Sequence, residues 1–120
     1  MIKKKMALCT SIPEKLLNKI EEQCDISICG ELKHGKGNVT EDITRKECME
    51  NELVVLGDEY AGAETISAWA KSGMKFMGVA KGTPSTVDFN AIQKAGLQLS
   101  YTPGRNRVAV AEYNIGLMIA

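Results

Sequence analysis

Leu53-Val54-Val55-Leu56-Gly57 is a run of aliphatic residues closed by a glycine, and what flanks it decides the fold. A run without a polar position has no solvent face, which marks a strand buried on both sides of a parallel sheet. Downstream, Ala63 to Ser72 carries Ile66, Trp69 and Ala70 at helical spacing, Gly73 stops the helix, and Lys75 to Val79 is the next strand. The joint then recurs. Gln93-Lys94-Ala95-Gly96-Leu97-Gln98 echoes Ala70-Lys71-Ser72-Gly73-Met74-Lys75, each with a lysine in the last helical turn, a glycine stop and immediate entry into a strand. Two successive αβ joints of this kind predict an α/β domain with a parallel sheet.

Working back towards the start, Lys5 to Cys9 reads as the first strand. Ser11-Ile12-Pro13-Glu14 reads as a capping box opening a helix that runs to about Glu22, with Leu16, Leu17 and Ile20 on one face. Asp25 to Cys29 is a second strand, and Gly30 to Asn38 a loop rich in glycine and lysine. Thr40-Glu41-Asp42 supplies a cap and two acids for a helix reaching about Glu50. Beyond Val79, Asp88 caps another helix and Leu97 to Ser100 is the fifth strand. The turn Thr102-Pro103-Gly104-Arg105-Asn106 leads to Val108–Ala120, a helical pattern apolar to its last residue and without a stop signal, as in a helix that has been cut.

A length of 120 residues with 44% hydrophobic content suits one core and excludes two domains within this stretch. Fifteen basic residues balance fifteen acidic ones and are scattered, so nothing drives binding to a phosphate backbone and nucleic acid is not an expected partner. Leu53 to Leu56 is far short of the ~20 apolar residues that span a bilayer. Met6 to Cys9 likewise falls short of the ~7–15 apolar residues of an export signal, so the chain reads as soluble and cytoplasmic, with no membrane partner. Cysteines 9, 24, 29 and 48 contain no Cys-x-x-Cys pair and read as reduced core thiols. Cys24, Cys29 and His34 do not match the spacing of a zinc site, and no metal is expected.

Candidate chemistry is sparse. Gly35-Lys36-Gly37-Asn38-Val39-Thr40 has two glycines of a dinucleotide fingerprint but follows the second strand instead of the first, and reads as a flexible loop. His34, the sole histidine, reads as a solvated side chain in that loop. Asp58 and Glu59 leave the third strand at the carboxyl edge, where open α/β sheets bind ligands, and read either as pocket lining or as capping groups. Ala80-Lys81-Gly82-Thr83-Pro84-Ser85-Thr86-Val87-Asp88 leaves the fourth strand at the same edge. Its lysine, close-approach glycine and hydroxyls suit a small carboxylate.

From Lys75 onward the sequence resembles the D-isomer-specific 2-hydroxyacid dehydrogenases. The resemblance is carried by Met74-Lys75, Lys81-Gly82-Thr83-Pro84, Val87-Asp88, Gly96, Thr102-Pro103-Gly104-Arg105-Asn106 and Ala109-Val110-Ala111-Glu112 running into Gly116-Leu117-Met118. It covers under half of the chain in detail, the first 74 residues adding a compatible pattern. It implies a flavodoxin-like, three-layer α/β/α domain with a five-stranded parallel sheet over residues 1–107. Residues 108–120 would begin a helix crossing to an NAD-binding domain. It also implies that Lys81, Gly82 and Thr83 hold the substrate carboxylate, with Tyr101, where the family has asparagine, facing the same cleft. Gly82 and Val110 would touch the cofactor, NAD or NADP, while Asp88 and Glu112 match positions read as mainly structural.

Departures limit what is inherited. Gly57-Asp58-Glu59-Tyr60 replaces the R-S-x-T of members acting on 3-phosphoglycerate, so a phosphorylated substrate is disfavoured; Lys81 and Thr83 replace an arginine and a glycine. The family's glycine fingerprint, its substrate-orienting arginine and its histidine paired with a carboxylate would all lie beyond Ala120. His34 matches no family position. The expectation is an amino-terminal, substrate-domain segment of an oxidoreductase that interconverts a D-2-hydroxy acid and a 2-oxo acid, inactive by itself. Its partners would be a small hydroxy or oxo acid and, in the intact enzyme, a second copy, with self-association of the segment through Val108–Ala120. The alternative is a stand-alone flavodoxin-like ligand-binding or regulatory domain. A receiver-type phosphoacceptor is disfavoured because no acidic cluster follows Met6 to Cys9.

Overall fold

Side chains alternate across a strand, so Leu53–Leu56 must feed two cores at once. In the computed structural model, which describes residues 3–80 and 85–101, it does. Val54 and Leu56 join Ala7, Ile66, Trp69, Met77, Val79 and Ile92 on one face. Leu53 and Val55 join Met6, Leu8, Ile20 and Cys24 on the other. All four residues of this strand, β3, are buried. At about 1.5–3 kcal/mol for each such side chain, it is the strongest apolar anchor of the sheet.

Around it the elements run β1 (Lys4–Leu8), α1 (Glu14–Glu21), β2 (Cys24–Ile28), α2 (Gly30–His34), α3 (Glu41–Glu47), β3 (Leu53–Leu56), α4 (Ala63–Lys71), β4 (Phe76–Val79), α5 (Phe89–Ala95) and β5 (Gln98–Ser100). The five strands are all parallel, in the order β2-β1-β3-β4-β5. Val54 lies beside Ala7 on one side and Met77 on the other, which puts β3 at the centre. The core contacts put α1 on one face and α4 and α5 on the opposite face, giving three layers. The expected α/β parallel sheet is thus observed in the flavodoxin-like strand order, whose direction of winding reverses between β1 and β3.

Local signals hold at several ends. Thr40 accepts from the Ile43 amide at 3.3 Å and Asp88 from the Ala91 amide at 3.0 Å, as caps of α3 and α5. Gly96 closes α5 in the left-handed region at φ 74°. Three local expectations are corrected. The Ser11 cap does not form: α1 begins at Glu14 with Pro13 at its N-cap position, so the acid sits at the first helical position, too early for a capping box. The Gly30–Asn38 loop opens with the short helix α2. Helix α3 ends at Glu47, not Glu50, because the Asn51 side chain donates to the carbonyls of Cys48 and Met49 at 3.2 and 3.1 Å. Glu50 there takes φ 65°.

Among the described residues no helix is long and apolar enough to cross a membrane. The expectations for the 102–106 turn and for the helix Val108–Ala120, with its proposed self-association, lie outside the described residues. Helix α1 is tied to its face by Ile20, fully buried between Met6 and Val55 in one cluster. Ile20→Ala should therefore lower stability by about 2–5 kcal/mol in urea unfolding, whereas Lys19→Ala, on the exposed side, should change it by less than about 0.5 kcal/mol.

Candidate functional site

Parallel strands point their carboxyl ends the same way, so the exits of β1, β3, β4 and β5 share one edge. That edge holds the crevice at the β1/β3 reversal, the general ligand position of open α/β sheets. The exits are tied together. Ala61, just beyond β3, pairs with Val87 beyond β4. Its amide donates to Thr86 O at 2.9 Å and its carbonyl accepts from the Asp88 amide at 3.1 Å.

The β3 exit is organised by Glu59, 4% exposed. Its Oε1 accepts from the Gly57 amide at 2.8 Å and its Oε2 from the Glu31 amide at 2.9 Å. One carboxylate therefore closes the β3 turn and caps α2. Gly30 makes the approach possible: it takes φ +58°, and a Cβ there would stand 2.7 Å from Glu59 Oε2 and 3.1 Å from Cys9 Sγ. Of the two readings for Glu59, the structure supports the cap. It also explains why helix α2 was missed in the sequence, since the groups that satisfy its first amides come from distant residues.

A second carboxylate completes this clamp. Glu47 Oε1 accepts from the Gly30 amide at 3.1 Å, while Oε2 stands 2.7 Å from His34 Nε2 and 3.3 Å from Lys33 Nζ. His34 is therefore paired with Glu47 instead of being a solvated loop side chain. Burial alone would raise the Glu47 pKa, but hydrogen bonds from His34, Gly30 and Lys33 outweigh it and hold the carboxyl below its ordinary range. Glu41 is also held low, by the Thr65 hydroxyl (2.5 Å) and the Gly62 amide (3.0 Å).

Tyr101 follows β5 at this edge, 41% exposed, its ring edge-on to Phe89 with centroids 6.1 Å apart. Tyr60 at the β3 exit is also exposed, so three aromatic side chains stand open near the ends of the strands. The Thr86 hydroxyl is buried with no hydrogen-bond partner among the described residues. Ala80 carries β4 to the edge, its amide donating to Leu56 O at 2.9 Å. The loop that follows contains Lys81, Gly82 and Thr83, which lie outside the described residues, as does Val110. Among the sequence-derived site residues, Tyr101 alone is thus positioned.

Nothing in the first βα turn fits a dinucleotide. The turn Cys9 to Pro13 has no glycine, and Pro13 offers no amide. The strand order β2-β1-β3-β4-β5 is what fixes the fold class.

Comparison with known proteins agrees. No family model matches the sequence. A stretch of 47 residues, 39% of this chain and 14% of the relative, is 51% identical to the candidate 2-hydroxyacid dehydrogenase YoaD of Bacillus subtilis (strain 168). A candidate D-isomer specific 2-hydroxyacid dehydrogenase from Polaromonas sp. JS6 66 superposes on 86% of this chain with a TM-score of 0.73 at 17% identity. The chain resembles the D-isomer-specific 2-hydroxyacid dehydrogenases. Among solved dehydrogenases of this kind, the apo-structure of D-lactate dehydrogenase from Escherichia coli matches 96% of the chain, with a TM-score of 0.61 at 22% identity. At these identities the superpositions speak for the fold. The chain spans 31% and 36% of the lengths of those two dehydrogenases.

Two outcomes test the clamp. Glu59→Ala should destabilise the domain by about 1–3 kcal/mol for each amide left without a partner, and Gly30→Ala should be comparably disruptive, both read by urea unfolding. For Glu47, a folded pKa below the ordinary 4.5 means that its stabilisation is complete above that pH and is lost as pH falls through the folded value. Glu47→Gln should accordingly flatten the acid limb of a Tm-versus-pH curve as pH falls below the ordinary 4.5.

Proposed function

We propose that these 120 residues form the substrate-binding domain of an NAD(P)-dependent oxidoreductase that interconverts a D-2-hydroxy acid and its 2-oxo acid. The observation that carries the reading is the coincidence of a local sequence match to a 2-hydroxyacid dehydrogenase with a whole-domain fold match to the same class. The carboxyl edge is the expected place for the acid. Lys81 supplies a cation and Gly82 and Thr83 supply backbone amides, a donor set suited to a carboxylate. Tyr101 offers an apolar ring and a hydroxyl to the remainder of the molecule. The edge acids Asp58 and Glu59 disfavour a phosphorylated substrate by like-charge repulsion.

NAD or NADP supplies or accepts the hydride when bound, and Gly82 and Val110 are the positions proposed to approach its nicotinamide end. Because the described residues do not form a dinucleotide cradle, the work assigned to this domain is to bind and orient the acid. A second domain would hold the cofactor and the proton-transfer pair. Catalysis needs both, since fixing the acid without the hydride donor supplies orientation but no reaction.

Two measurements test this. Calorimetric titration with pyruvate should give saturable binding that Lys81→Ala weakens by at least about tenfold, equivalent to ~1.4 kcal/mol. Mixing the 120-residue chain with NADH and pyruvate should leave the NADH absorbance unchanged. Undiminished binding in the variant would remove Lys81 from the site, and NADH oxidation would contradict the division of labour.

A further inference from the structure

Three of the four cysteines meet beneath the carboxyl edge, although they are distant in sequence. Cys9 leaves β1, Cys29 leaves β2, and Cys48 terminates α3. Cys9 Sγ and Cys48 Sγ are 3.7 Å apart, and Cys29 is buried in the same core cluster. Cys29 in turn lies 3.6 Å from the carbonyls of Ser27 and Glu47. Cys24 stands apart, in the cluster on the opposite face of the sheet. A core needs none of this: an apolar pocket can be filled by alanine or valine, whereas two thiols in contact bring oxidisable sulfurs together.

We propose that this cluster is a redox-sensitive clasp in which a peroxide converts Cys9 and Cys48 to a disulfide. The first thiol displaces water from hydrogen peroxide and becomes a sulfenic acid. The second attacks that sulfur and expels a second water. In total, two thiols and one peroxide give one disulfide and two waters, the two electrons passing from the sulfurs to the peroxide oxygens. The contact distance makes the second step intramolecular. Closing it to the ~2.05 Å of a disulfide moves the sulfurs by less than about 2 Å in total. At Cys48 the lowering effect of Cys29 is outweighed by the contact with Cys9 and by burial, which hold the thiol above its ordinary range, so the first step is slow and the clasp responds to sustained oxidation.

The consequence reaches the edge. Cys9 Sγ is a neighbour of Gly30, whose amide is held by Glu47 and whose close approach to Glu59 shapes the β3 exit. A bridge between Cys9 and Cys48 ties the β1 exit to the end of α3 and fixes the floor under that clamp. The proposal concerns the cluster alone and stands whether or not the edge binds a 2-oxo acid.

The test is hydrogen peroxide treatment of the folded chain followed by thiol counting and peptide mass mapping. Two of the four thiols should disappear, with a mass loss of two hydrogens, and a Cys9–Cys48 linked peptide should appear that reductant removes. The bridge should raise Tm by restricting the unfolded chain. Cys24→Ala should leave it unchanged. Cys48→Ser should abolish it and leave Cys9 to proceed to sulfinic acid. Four intact thiols under peroxide that oxidises the urea-unfolded chain would overturn the proposal. So would a bridge to Cys24 or Cys29, or sulfinic acid without a bridge in the wild-type chain, and mapping of that chain decides the matter even if Cys48→Ser fails to fold.

Discussion

A strand with no polar side chain cannot border water, and every larger feature of this domain follows from meeting that condition at Leu53–Leu56. Both neighbours of β3 must be strands, since its backbone donors and acceptors need partners on each side. Both faces must be covered, by α1 over Leu53 and Val55 and by α4 and α5 over Val54 and Leu56. Parallel pairing then sends every strand exit to one edge. The position of the candidate site is thus a consequence of burial, settled before any functional residue is considered.

What the edge adds is a polar framework that keeps its loops in place. Glu59 and Glu47 each hold one backbone amide at the start of α2, Glu59 also closes the β3 turn at Gly57, and the Ala61–Val87 pairing binds the β3 and β4 exits together. The oxygens of both carboxylates are occupied by donors of the fold itself, which gives them a structural role. Glu59 and Glu47 are therefore supports, and the proposed function leaves the contacts to the acid to the loop after β4. The proline-containing first turn lacks the glycines of a dinucleotide fingerprint.

Much of the fold was legible in the residues because it is encoded locally. The β3 run, the glycine stops at Gly73 and Gly96 and the caps at Thr40 and Asp88 all appear where the spacing puts them. Helix α2 and the end of α3 were not legible, because the groups that decide them come from elsewhere: Glu59 and Glu47 for α2, the Asn51 side chain for α3. The pairing of His34 with Glu47 was hidden for the same reason. At the site, the family-like pattern points to a loop that lies outside the described residues, while Tyr101 stands exposed at the carboxyl edge beside Phe89, a neighbour that spacing could not reveal. The signal available for the clamp was Gly30 itself, a glycine after a strand and ahead of good helix formers, where a positive φ is needed.

The account stands on one spatial claim, that the carboxyl edge of this sheet receives a small 2-oxo acid. Amide resonance mapping during a pyruvate titration tests it most directly. The account predicts saturable shifts concentrated at residues 57–61, 80–88 and 101, with the amino-edge residues Cys24, Leu53, Phe76 and Gln98 unmoved. Shifts centred on the amino edge, or no saturable shift at all, would contradict it.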